Sequence, residues 1–143
     1  MKKILFYYVL VFHLFYGVSN AKENFFEEAK KNFEKNKISK SKFLFQKNIV
    51  FNPKDAQSYL YLAKIYNMEE NEKEEEKNLN TALQLESNNE EAMYMLINIH
   101  LKKSNYSKVK DLTKDFSLIC SKLCNKIKDI NQNLKNIEPK NES

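Results

Sequence analysis

From Phe25 to Ile137, apolar residues return every three or four places, and no stretch alternates apolar with polar as a half-buried strand does. That spacing keeps returning apolar side chains to one face of a helix, so the expectation is helix throughout. Pro53 and Pro139 are the only prolines. Each stands where a helix has to end, because the ring removes an N–H and clashes with the preceding turn.

The pattern also returns at a longer period. Tyr59, Leu62, Ala63 and Tyr66 share one helix face, and the small residue among them lets the next helix pack close. Adding 34 gives Met93, Leu96, Ile97 and His100. Subtracting 34 gives Phe25, Glu28, Ala29 and Asn32, and adding 68 gives Ile127, Ile130, Asn131 and Leu134. Phe51, Leu85 and Ile119 keep the same period, as do Pro53, Ser87 and Ser121. Asn36, Asn71 and Asn105 fall near the turns inside the units. Asparagine tolerates left-handed backbone, so these residues are expected to end helices where glycine is missing.

With this signature, and with Asn52-Pro53-Lys54-Asp55 at a unit boundary, the chain resembles the tetratricopeptide family. The resemblance implies an all-α fold, an α-solenoid of about three helix-turn-helix repeats closed by a C-terminal capping helix. The units fall at residues 22–55, 56–89 and 90–123, the cap at 124–137, and a short disordered tail at 138–143. Glu28 departs from the pattern where leucine is expected. Glu75 and Val109 stand where alanine usually packs the paired helices, and Thr113 replaces a large apolar residue. A cap is needed because each unit leaves an apolar face that only a neighbour covers. Ile127, Ile130, Leu134 and Ile137 are expected to face inward, with Lys126, Lys128, Asp129, Gln132 and Lys135 in water.

Composition narrows the chemistry. Gly17 is the only glycine, so from residue 22 onward no glycine is present to build a phosphate-cradling loop or a nucleophile elbow. All 24 basic residues are lysine, which lacks the planar two-pronged grip of guanidinium. His100 is the only histidine beyond residue 21; it occupies a packing position and has no second histidine to share a metal. The glutamate-rich run from Glu69 to Glu76 reads as a solvated helix start, where carboxylates oppose the helix dipole. Catalytic residues, metal ligands and cofactors are therefore not expected.

Residues 1–21 read as a secretory signal. Lys2 and Lys3 precede a 15-residue apolar run, Ile4 to Val18, and Ser19-Asn20-Ala21 offers small residues at the cut. The run is short for a membrane span of about 20 residues; if retained, it is a membrane anchor. Removal takes the net charge from +5 to +3, which gives no case for nucleic acid. The expected location is periplasmic or otherwise secreted. In an oxidising compartment Cys120 and Cys124, the only cysteines, are expected to form a disulfide at the turn before the cap; two buried thiols are the alternative.

The resemblance implies a protein or peptide partner held in a groove lined by the first helix of each unit. Its candidates are Phe26, Lys30 and Phe33; Leu60, Tyr61, Lys64 and Met68; and Tyr94, Met95, Asn98 and Leu101. One branch of the family grips the carboxylate end of chaperone tails with lysine, arginine and asparagine. Phe26, Tyr61, Glu91 and Met95 stand at four of its five clamp places and Lys30 at the fifth, so that ligand is not implied here. An aromatic and methionine strip edged by lysine suits an apolar or amphipathic helix with some acidic character. Alternatively these side chains pack on one another or on a second copy, which makes the protein a homo-oligomer or part of an envelope assembly.

Overall fold

The computed structural model describes residues 24–138. The proposed signal and Pro139, with nearly all of the proposed tail, lie outside them. Seven helices and no strand are present among the described residues. They are α1 (Phe25–Glu34), α2 (Ile38–Phe51), α3 (Ala56–Met68), α4 (Glu72–Leu85), α5 (Glu90–Lys102), α6 (Tyr106–Ile119) and α7 (Lys126–Asn136). They pack in sequence as the pairs α1–α2, α3–α4 and α5–α6, and α7 rests on both α5 and α6. This is a helical solenoid of helix-turn-helix units with a closing helix.

The apolar face of each unit is covered by the next. One core joins units one and two through Phe25, Ala29, Leu44, Phe45, Leu62 and Ile65. A second runs from Leu60 and Ala63 through Leu79, Leu96, Ile97, Val109 and Phe116 to Ile130 of the cap. Ala29 and Ala63 are fully buried, as the close approach of paired helices requires. In unit one that contact is also polar, since the Ser41 hydroxyl donates to the Ala29 carbonyl at 2.9 Å. Thr113 is buried and satisfied locally, its hydroxyl donating to the Val109 carbonyl at 2.6 Å.

Asparagine serves the turns differently from the expectation. The left-handed residues are Asn36, Glu70 and Ser104, with φ of 55°, 55° and 53°. Asn71 and Asn105 sit one place later and cap α4 and α6, their side chains accepting from the Glu74 and Lys108 amides at 3.3 and 3.2 Å. An asparagine oxygen at that place satisfies an otherwise orphaned N–H, while the strained place falls to whatever precedes it. A Cβ in this conformation costs roughly 1 kcal/mol. Glu70→Gly and Ser104→Gly are therefore each expected to stabilise the fold by about 0.5–1 kcal/mol in urea denaturation, despite glycine's looser unfolded chain.

Candidate functional site

The first helices α1, α3 and α5 lie side by side. Tyr61 of α3 reaches back to Phe26 and Phe33 of α1, with ring centroids 5.9 and 5.3 Å away. Lys64 reaches forward to Glu91 of α5, Nζ to Oε2 2.9 Å. The same lysine lies over the Tyr61 ring, 4.7 Å from its centroid. These contacts align Phe26, Phe33, Tyr61 and Lys64 along one face.

That face divides into a closed part and an open part. In the closed part Tyr61 stacks on Phe45 of α2 at 4.9 Å, and Phe26 meets Phe45 at 5.7 Å. Phe45 is fully buried, and the sequence reading passed over it. Its 34-residue register with Leu79, another fully buried residue, was the available signal. Leu60 needs correcting: at 2% exposed it belongs to the core between units two and three, turned away from the face that Tyr61 and Lys64 share. Phe26, Lys30, Phe33 and Tyr61 are half-buried.

The open part belongs to α3, α5 and the cap. Met68 is exposed, and Tyr94, Met95, Asn98 and Leu101 are half-buried. Tyr94 leans on Phe116, with centroids 6.2 Å apart, and Lys126 of α7 sits 5.9 Å over its ring. Lys126 is thus drawn inward from the solvent face expected for it. Met95, Asn98, Leu101 and Lys102 line a pocket of about 410 Å³, completed by Asn67, Glu75 and Asn133 of α3, α4 and α7. Glu75 is buried, and both its oxygens accept from Asn67 Nδ2, at 3.0 and 3.1 Å. Burial holds its carboxyl above the usual range, against the opposing pull of Asn67 and Lys102.

A larger hollow of about 840 Å³ lies by the turn between α2 and α3, with Phe26, Phe51, Pro53 and Asp55 on its walls. Its carboxylate is already occupied. Asp55 accepts from Asn48 Nδ2 at 2.7 Å and from the Ser58 hydroxyl at 2.6 Å.

His100 is buried between units two and three, as its packing position implied. Its Nε2 lies 3.6 Å from a Glu76 oxygen, and burial pushes its pKa down. Lys103 lies 2.6 Å from Glu76 and 3.2 Å from Glu72, so part of the glutamate run pairs with the next unit.

Cys120 and Cys124 are joined as a disulfide, with Cα atoms 5.2 Å apart. The loop they close presents the amides of Ser121, Lys122 and Leu123 to the Glu90 carboxylate, at 2.8, 3.1 and 3.1 Å. These donors, Ser121 first, hold the Glu90 carboxyl below its usual pKa. A lowered folded pKa gives stability that is present above the ordinary glutamate range and lost as pH falls through the folded value. Acid is therefore expected to loosen the loop, and Glu90→Gln to flatten that pH dependence, as read by hydrogen exchange of the Ser121 to Leu123 amides.

No protein-family model and no curated protein matches the sequence. Solved structures do match. The first tetratricopeptide domain of Spaghetti (RPAP3), bound to an HSP90 peptide, is 16% identical with a TM-score of 0.66, over 78% of this chain and 93% of that one. The TPR2B domain of yeast Sti1, in complex with Hsp70, is 17% identical with a TM-score of 0.65, over 80% and 94%. The Yersinia enterocolitica type III secretion chaperone SycD, with a peptide of the translocator YopD, is 11% identical with a TM-score of 0.67, over 83% and 93%. The chain has the tetratricopeptide-repeat fold. Identities this low carry the fold and leave the ligand to be argued from this chain's own residues.

Proposed function

We propose that the protein is a non-enzymatic adaptor that holds a segment of another protein along α1, α3 and α5, in the periplasm or secreted space. The observation that carries this reading is the open part of the face. There Met68, Tyr94, Met95, Asn98 and Leu101 leave apolar and hydrogen-bonding surface only partly covered. Three solved proteins of this fold hold peptide or protein partners, which supports the same use here. The ligand differs from a chaperone tail, because Phe26, Tyr61, Glu91 and Met95 cannot grip a terminal carboxylate as cationic or amide side chains do.

Crosslinking followed by affinity capture from the native compartment tests the reading. Tyr94→Ala and Asn98→Ala are each expected to weaken capture by about 1–3 kcal/mol if they are hot spots, with helix content unchanged. Undiminished capture by both folded variants moves the site elsewhere. Export is tested on the same material, whose N-terminal sequence is expected to begin at Lys22.

The second reading is self-association, and α2 favours it. Phe43 and Val50 lie two turns apart on one face of that helix and are 62% and 76% exposed. A mass by light scattering that rises with concentration, and falls back for Phe43→Ser, supports a homo-oligomer. A constant monomer mass excludes it.

A further inference from the structure

The 34-residue register aligns one buried position near the start of each second helix. Unit one has Ser41 there and unit three has Val109, both fully buried. Unit two has Glu75, 3% exposed. Ser41 shows that a small side chain closes this contact, so the carboxylate is not needed to hold α3 against α4. Buried carboxylate is expensive unless its oxygens are well supplied with donors. Glu75 can accept about four hydrogen bonds, yet among the described residues it draws on one nitrogen, Asn67 Nδ2, shared between its two oxygens. Lys102 also lines the pocket and feels its charge, but it is exposed and forms no ion pair with it.

The surroundings supply what a long cationic side chain needs. Met95 and Leu101 form an apolar wall for a methylene stem, and the Asn98 carboxamide can accept a hydrogen bond beside the carboxylate. At about 410 Å³ the pocket has room for one such chain with ordered water, given roughly 30 Å³ per water molecule. An acidic side chain is repelled there. A purely apolar one gives Glu75 no donor.

We infer that this pocket receives a lysine or arginine side chain of the bound segment, with Glu75 as its counter-ion. The inference rests on the peptide-binding reading and adds a basic residue to the expected ligand, whose acidic character was suggested by the lysines farther along the face.

The test uses the isotopically labelled chain and acetyl-Ala-Leu-Lys-Leu-Ala-amide, with arginine, norleucine or glutamate in place of the central lysine. The lysine and arginine peptides are expected to shift the NMR signals of Glu75, Met95, Asn98 and Leu101 and to saturate. The norleucine peptide is expected to bind at least tenfold more weakly, and the glutamate peptide not to bind. Glu75→Gln, which keeps shape and removes charge, is expected to abolish the preference for lysine over norleucine. Equal binding of lysine and norleucine peptides, preference for glutamate, or a lysine preference that survives Glu75→Gln overturns the proposal. Capture of the native partner separates this from the adaptor reading. If Glu75→Gln captures the partner as well as the unaltered chain while Tyr94→Ala does not, the adaptor stands and the basic pocket falls. If the lysine peptide binds but no protein is captured, the cation site stands and the adaptor falls.

Discussion

Replacing Phe45 with alanine is expected to destabilise the fold by about 3–5 kcal/mol, the usual range for removing a fully buried aromatic ring. The ring supports the binding face from behind. It stacks on Tyr61 and supports Phe26, so its loss leaves a cavity bounded by two other aromatics that cannot collapse without shifting α1 against α3. Urea denaturation measures the loss. Because each repeat contacts only its neighbours, the damage is expected to stay local. Amide exchange should accelerate in α1 and α2 and remain near its original rate in α5 and α6. A loss under 1 kcal/mol shows that the closed part of the face carries little packing energy. Tyr61→Ala is expected to unfold part of the same region, so it tests the packing and not the partner. That is why binding is tested at Tyr94 and Asn98.

The distinction between those tyrosines could not be drawn from the period alone. The 34-residue spacing predicted the seven helices because helix packing depends on which faces are apolar, and the period records that directly. It placed Tyr61 and Tyr94 on first helices, one place along from 34-residue equivalence, and says nothing of what lies behind each. That depends on the second helices: the preceding unit offers Phe45 to Tyr61, whereas for Tyr94 the same register holds Leu79, and Tyr94 leans instead on Phe116 of its own unit. Leu60 was misplaced for a related reason. The core between units two and three curves around α3, so a residue next to a groove position can already face the next unit. Glu75 was visible as a departure from pattern, but its meaning was not. A carboxylate at a packing position reads as a defect until Asn67, Asn98 and Lys102, from two other helices' ends and faces, are seen around one pocket. The disulfide was expected from the count of two cysteines together with the expectation of export, while the use of its loop to hold Glu90, some 30 residues earlier in the chain, required the fold.

Removing Ile130 is expected to release the cap. Ile130 is the one fully buried side chain of α7, and Ile127, Leu134 and Ile137 pack around it only in part. Alanine at a buried isoleucine costs about 2–5 kcal/mol when the surroundings stay in place. Here they need not stay, because a short terminal helix can undock on its own, and the measured cost cannot exceed the free energy that docks α7. The expected result is therefore about 2–4 kcal/mol by the exchange of α7 amides, with the exchange of α1 to α4 unchanged. Reducing the disulfide is expected to weaken docking further by about 1–2 kcal/mol, since so short a loop constrains the unfolded chain only modestly. Undocking also withdraws Asn133 from the pocket and Lys126 from Tyr94. Ile130→Ala should therefore weaken partner capture although it lies outside the face. Capture that survives complete loss of α7 protection shows that the cap serves stability alone.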